Sequence, residues 1–423
     1  MKQIALAALL GAGCSGAALA QTNVQIYGIA DAAVMWQRGG TTKIISGGAD
    51  GSRLGFRGSE ELGGGYKAVF NVEARIELDT GLQYPTILND NQGFYLTRGM
   101  DALPPAVLQA VRSATQPPGG PAVNPQKALF DRTSMVGMIT PYGAVLLGRL
   151  YTPEYEVFAA ADTFEAGTAG TWGGILYGTG GYSVIPSDIR SSRSVEYRLA
   201  HPSGFGAVLM ASAKGSGYLE RYNKFFGANL TYKNRGWDLG FGYNRGYDQQ
   251  DAPSLRTATA GGSYSWGDYK IFAGVHYERN TNSPLMQDYI VGWDSQIAPQ
   301  LAPLGPAVAG FLRNVFISNI FANTEQNAIS AQVGVQYRYG PGKILASVAH
   351  QNDRSSGDSD ATQFALGYDY VVSRRTDLYL VGAFIRNQKW GQFSPASGGA
   401  PGGFTPNKGD DGAALQVGIR HRF

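Results

Sequence analysis

The feature that most constrains this chain is a period-two alternation of apolar and polar residues, repeated along nearly its whole length. In residues 327–339, Ile329, Ala331, Val333, Val335, Tyr337 and Tyr339 fall on one face, and Ser330, Gln332, Gly334, Gln336 and Arg338 on the other. Successive side chains of an extended strand point to opposite faces, so this spacing predicts a strand with one apolar and one polar side. Residues 236–244 repeat it, with Trp237, Leu239, Phe241 and Tyr243 against Asp238, Gly240, Gly242 and Asn244. The last run sets Leu415, Val417, Ile419 and Phe423 against Gln416, Gly418, Arg420 and Arg422. The polar faces are rich in Gly, Ser, Gln and Arg, and the apolar faces end in aromatics.

Sixteen such runs are predicted, at 24–36, 52–60, 65–78, 130–140, 143–150, 191–200, 205–214, 225–233, 236–247, 256–266, 269–279, 327–339, 343–351, 361–373, 376–389 and 412–423. Short connections such as Pro141-Tyr142, Asn234-Arg235, Gly267-Asp268 and Arg374-Arg375 alternate with long loops near 37–51, 79–129, 151–190, 280–326 and 390–411. A meander with tight turns at one end and long loops at the other is the pattern of an outer-membrane β-barrel. An even strand count puts both termini at the short-turn, periplasmic end. A soluble sandwich or propeller would also alternate, but its inner face would be the apolar one and would exclude arginine and glutamate. Here the polar face needs water, and a barrel of sixteen strands is too wide for side chains to fill.

The fold is expected to occupy residues 21–423. Lys2, the apolar run Ile4 to Leu10 and the Ala18-Leu19-Ala20 ending read as a signal peptide over residues 1–20, cleaved before Gln21. Cys14 lacks the large aliphatic residue of a lipidation signal, since Gly11 stands three positions before it. The remaining chain then has no cysteine, and a closed barrel, hydrogen-bonded on both sides of every strand, supplies the stability that disulfides would. No segment after the leader is apolar for the roughly twenty residues that a membrane helix needs. A net charge of +3 is too balanced for a nucleic-acid binder. The histidines, at 201, 276, 350 and 421, are too scattered for a metal site, and no cofactor is expected.

Several segments resemble the trimeric general-diffusion porins of Gram-negative bacteria. These are Val24-Gln25-Ile26-Tyr27-Gly28-Ile29-Ala30-Asp31, Ser52-Arg53-Leu54-Gly55-Phe56-Arg57-Gly58 with Glu60-Glu61-Leu62-Gly63, Leu147-Gly148-Arg149 before Tyr151, and the terminal Arg420-His421-Arg422-Phe423. The resemblance implies an all-β transmembrane antiparallel barrel in the cell outer membrane, with its third loop folded into the lumen. It also implies a homotrimer in contact with outer-membrane lipids and lipopolysaccharide, passing small polar or anionic solutes. By position, Arg53, Arg149 and Arg190 resemble the cations of the constriction wall. Asp162 and Glu165 resemble the facing carboxylates of the third loop, and Phe423 the C-terminal assembly signal. Arg193 competes with Arg190, and Ile29 stands where some members carry a further cation. The loops at 79–129 and 280–326 are long for the family and contain apolar stretches, Ala106 to Val111 and Val315 to Phe321.

Strand parity adds Asp31, expected to line the lumen beside a cation, and Glu73, Arg75 and Glu77, expected as a charge ladder on the wet face. The expected function is passive diffusion through a water-filled channel with weak anion preference, because field lines focus between charges in a low-dielectric pore. An adhesive or structural barrel acting through its long loops is the alternative. An outer-membrane hydrolase would need His276 as its base, and no nucleophile motif accompanies it.

Overall fold

The computed structural model describes residues 23–83, 85, 88, 89, 91–114, 124, 128–176, 189–214, 222–280 and 286–423. The expected leader and its cleavage site lie outside them. The strands are β1 (Asn23–Gln37), β2 (Lys43–Ser46), β3 (Arg53–Gly63), β4 (Tyr66–Arg75), β5 (Ser134–Thr140), β6 (Gly143–Tyr151), β7 (Arg190–Ala200), β8 (Phe205–Ser212) and β9 (Lys224–Asn234). They continue as β10 (Trp237–Tyr247), β11 (Pro253–Trp266), β12 (Tyr269–Asn280), β13 (Gln326–Tyr339), β14 (Gly342–Asp353), β15 (Ala361–Val371), β16 (Thr376–Asn387) and β17 (Gly412–Arg422). Apart from β2 and β3, each pairs antiparallel with its sequence neighbours, and β1 closes the sheet on β17, with Ile29 opposite Arg422.

Both β2 and β3 pair with β1, at Ala32–Met35 and Asn23–Ile29 respectively. They are two pieces of one barrel strand, so the wall counts sixteen. Between them, residues 47–52 leave the ladder. The expected strand of 52–60 therefore has a short upper half that the sequence reading placed in a loop.

The apolar faces point outward, where Leu230, Phe241, Val333, Leu366 and Val417 are exposed. Such a face is stable only against lipid. Near the short turns, Phe205 pairs with Tyr232, Trp237 with Tyr264 and Tyr269 with Tyr337, at ring-centroid separations of 4.9, 4.3 and 4.7 Å. These rings form the aromatic girdle of one membrane interface. The turn between β9 and β10 puts Arg235 and Gly236 at φ +50° and +85°, the two positive values that let a two-residue hairpin follow the twist of the strands.

Phe423 completes the closure. Its backbone N–H donates to Gly28 O (3.1 Å) and its carbonyl accepts from Gly28 N–H (3.0 Å). The ring lies across the space a side chain at residue 28 would occupy. We propose that this clasp makes Phe423 an assembly determinant. Deleting it is expected to lower the yield of heat-modifiable folded barrel on unheated gels, while the barrels that do form keep their unit conductance. A deletion that assembles at the normal yield would refute that role.

The two long loops fold into helices. The first holds Gln92–Leu96 and Pro105–Ala114, and the second ends in Pro306–Thr324. Their apolar residues fall at helical spacing, Val107 and Val111 on one and Leu312, Phe316 and Ile320 on the other. These stripes meet in a shared core with Trp293, which stacks on Phe316 at 4.4 Å. The loop after β16 joins them through Phe393 and Phe404, and Phe404 stacks on Tyr95 at 4.3 Å. Residues 391–397 of that loop are all buried, so three long loops form one packed cap at the wide-loop end.

Candidate functional site

The third loop runs inside the barrel. Its helix Pro153–Ala161 starts with Pro at the first helical position and carries Glu154 and Glu156 in its first turn, both favourable to a helix N-terminus. Glycines on the inner wall make room for it. A Cβ at Gly242 would come within 2.6 Å of Glu154 Cα, one at Gly227 within 2.6 Å of Pro153, and one at Gly240 within 2.9 Å of Val157. Beyond the helix, a Cβ at Gly274 would meet the Trp172 ring at 2.9 Å. The glycines of the polar faces thus form a seat for the loop. Trp172, Phe158, Ile175 and Leu176 are fully buried there, each contributing about 1.5–3 kcal/mol.

Polar anchors complete the seat. Beneath the helix, His276 Nδ1 lies 3.1 Å from Glu154 Oε1, which also accepts from Thr259 Oγ1. Glu278 Oε2 is 3.7 Å from the other ring nitrogen. The His276 side chain is 1% exposed, so the residue singled out as a possible base is enclosed as a loop anchor. Glu156 reaches Arg198 at 2.5 Å. Inward glutamines then hold the loop backbone. Gln332 accepts from Thr163 N–H (3.0 Å), and Gln336 donates to Thr163 O (2.7 Å). Gln363 donates to Gly170 O (2.9 Å) and Thr171 O (2.8 Å), and Gln416 accepts from Ala169 N–H (2.8 Å).

Asp162 is not a lumen charge. It is fully buried, and its carboxylate accepts from the N–H groups of Phe164 (3.1 Å), Ala166 (3.0 Å) and Trp172 (3.2 Å), from Thr171 Oγ1 (2.6 Å) and from Gln332 Nε2 (3.1 Å). Burial pushes its pKa up, and the donors from Thr171 and Gln332 oppose that shift. The resemblance gave its place on the third loop but not that the loop would close around it. Glu165 is exposed and lies 2.5 Å from Lys343 Nζ. Burial of its surroundings raises its pKa, but the Lys343 charge outweighs this and holds it below the usual value.

Asp31 also departs from expectation. It points inward but is fully buried, and no cation pairs with it among the described residues. Its carboxylate accepts from the N–H groups of Gly48 (3.0 Å), Ala49 (2.9 Å) and Asp50 (2.7 Å) and from Tyr379 OH (2.5 Å). It therefore organises the excursion at 47–52 rather than lining water.

The third loop covers the inner wall from β9 round to this excursion, where Thr168 N–H donates to Gly48 O at 3.0 Å. Arginines gather along the wall from β3 to β7. Arg53 lies 2.6 Å from Asp50 and 3.9 Å from Glu73, and Glu73 is 3.9 Å from Arg132. Arg132 donates to Tyr151 OH at 3.2 Å. Arg190 donates to the same hydroxyl, and its guanidinium lies 4.1 Å from the centroid of that ring. Arg75 pairs with Glu77 (3.0 Å) and Asp131 (3.2 Å), whereas Glu73 pairs with Arg53 and Arg132, and Glu73, Arg75 and Glu77 are all buried.

Of the three expected wall cations, the structure brings Arg53 and Arg190 into one network. Arg149 sits beside it, donating to Asp131 O (2.7 Å) and Ser192 Oγ (2.9 Å). Arg193 is exposed and donates to Lys214 O (2.8 Å), away from the network. Arg132 was missed. It lies inside the predicted run 130–140, but β5 begins only at Ser134, so the strand's alternation does not fix the direction of its side chain.

A family model described as Gram-negative porin matches residues 5–389. An outer membrane porin protein of Bordetella pertussis is 26% identical, over 100% of both chains. Outer membrane porin protein 32 of Delftia acidovorans is 27% identical, over 99% of each. Among solved structures, an anion-selective porin from Comamonas acidovorans superposes with a TM-score of 0.66 at 22% identity, covering 95% of this chain and 100% of that one. A trimer form of OmpT from Vibrio cholerae gives 0.57 at 13% identity, over 95% and 99%.

Proposed function

The chain belongs to the Gram-negative porin family, outer-membrane barrels that conduct solutes passively, and we propose that its channel prefers small anions weakly. The observation that carries this reading is the arrangement of Arg190. It is held by a phenol, Tyr151, rather than by a carboxylate, next to Arg132 and within one network of Arg53. A guanidinium keeps its charge at every relevant pH. In a narrow aqueous passage with low-dielectric walls, such a charge is felt more strongly than in open water. Charges in wider parts of the lumen are screened within about 8 Å at physiological ionic strength. The solved Comamonas relative is named for anion selectivity, which agrees with this sign.

Arg53, Arg149 and Arg190, with Arg132, form the cationic wall in this proposal, and Glu165 is the loop carboxylate facing the lumen. Residues 1–20 serve as the export leader. The working unit is a homotrimer set in lipid and lipopolysaccharide. The trimer form of the Vibrio relative supports this, as do the small outward residues Ala30 and Ala32 of β1 and Ala207 and Ala211 of β8, which let walls approach closely. The relatives' names indicate a channel rather than an enzyme.

The test is liposome swelling with the purified, unheated protein. Neutral sugars should enter at rates that fall steeply with size, and small organic anions should enter faster than cations of equal size. The protein should run unheated at about three times its chain mass. Equal or cation-favoured rates would refute the anion preference, and a monomeric mass in both gel and detergent solution would refute the trimer.

A further inference from the structure

The excursion at 47–52 has a use beyond joining β2 to β3. Asp31 gathers three consecutive N–H groups from it, and the strand on either side is fixed by pairing to β1. A Cβ at Gly48 would strike Tyr379 and Ala33, so the hook lies tight against the wall. The third loop and the loop after β16 both press on it, with Thr168 N–H and Gly398 N–H donating to Gly48 O at 3.0 and 3.1 Å. A segment held this firmly fixes where its one charged side chain goes. That side chain is Asp50, the partly exposed member of the hook, with one oxygen 2.6 Å from Arg53 and the other 3.2 Å from Arg420.

We propose that Asp50 is a selectivity determinant that weakens the anion preference by neutralising the wall at Arg53. Arg420 retains Asp377 at 2.8 Å whether or not Asp50 is charged. Among the described residues Arg53 has no equivalent second partner: Glu73 stands 3.9 Å away and is shared with Arg132. Losing the Asp50 charge therefore leaves the Arg53 cation without its nearest carboxylate, at one end of the arginine-lined wall. The proposal deepens the reading of the arginine wall as the selectivity element.

The test is the zero-current potential of trimers in planar bilayers across a potassium chloride gradient. Asp50→Asn should raise the chloride-to-potassium permeability ratio at least about twofold, as one unit charge in a focused field would, while Asp50→Glu stays near the starting value. Arg53→Gln should lower the ratio, and Asp50→Asn combined with Arg53→Gln should return it close to the unchanged protein, because the two charges leave together. An Asp50→Asn channel with an unchanged or lower ratio overturns the proposal, and so does a double variant that fails to compensate. If Asp50→Asn does not assemble, Asp50→Ser removes the same charge with a smaller side chain. Failure of both to assemble would assign Asp50 to folding and overturn the proposal too. The unchanged channel reverses on the anion or the cation side independently of these shifts, so failure of the anion-preference reading is seen separately.

Discussion

With Arg53→Ala and Arg190→Ala combined, the channel is expected to reverse on the cation side, its chloride-to-potassium permeability ratio falling by roughly tenfold through loss of the focused field. Two guanidinium groups leave the arginine-lined wall, while Glu73 keeps Arg132 at 3.9 Å and Asp50 keeps Arg420 at 3.2 Å. No buried carboxylate is stranded, so the barrel should assemble. Unit conductance should rise as well, since two long side chains are lost from the narrow sector. Zero-current potentials across a salt gradient measure the first effect and step sizes the second. A double variant with the unchanged potential would show that these arginines do not set selectivity.

Asp162→Ala is expected to act on size rather than charge. It removes the acceptor for the N–H groups of Phe164, Ala166 and Trp172 inside a closed loop. Each buried donor left unpaired costs about 1–3 kcal/mol, enough in sum to loosen the third loop while the sixteen-strand wall stays paired. The expected result is a several-fold larger and noisier unit conductance with little shift of the zero-current potential. Glu165→Gln should do the reverse, since it removes an exposed charge beside Lys343 but no loop anchor. Its step size should hold while the potential moves toward anions. If Asp162→Ala shifts the potential at an unchanged step size, the carboxylate faces the passage and its role as a loop organiser is wrong.

The wall of this protein was legible in its sequence because two solvents impose it. Lipid outside and water inside force period two on every spanning strand, and the sixteen runs match strands within a few residues. Parity also gave the inward direction of Asp31, Glu73, Arg75 and Gln332. It could not say what fills the space in front of them. Asp31 reads as a lumen charge because the N–H groups that surround it come from residues 17 to 19 positions along the chain, and Asp162 because residues 164–172 of its own loop fold back onto it. Likewise, glycines on the polar faces looked like filler until the third loop was seen to lie on them.

Other elements carried a signal that a search for strands passes over. Leu312, Phe316 and Ile320 fall at spacing four, which marks a helix inside the loop read only as long and apolar. The upper half of the broken strand, Lys43–Ser46, is too short to show alternation. Arg132 falls within the predicted run 130–140 but ahead of the observed β5, and only the assembled network reveals its role.

The most direct test of the whole account is the current through the unchanged protein, inserted at low density into a planar bilayer separating concentrated from dilute potassium chloride. The account requires stepwise, long-lived conductance increments whose current reverses modestly on the chloride side. A protein that inserts as a folded barrel yet gives no steps, because its packed loops seal the lumen, would contradict it, and so would steady steps that reverse on the potassium side.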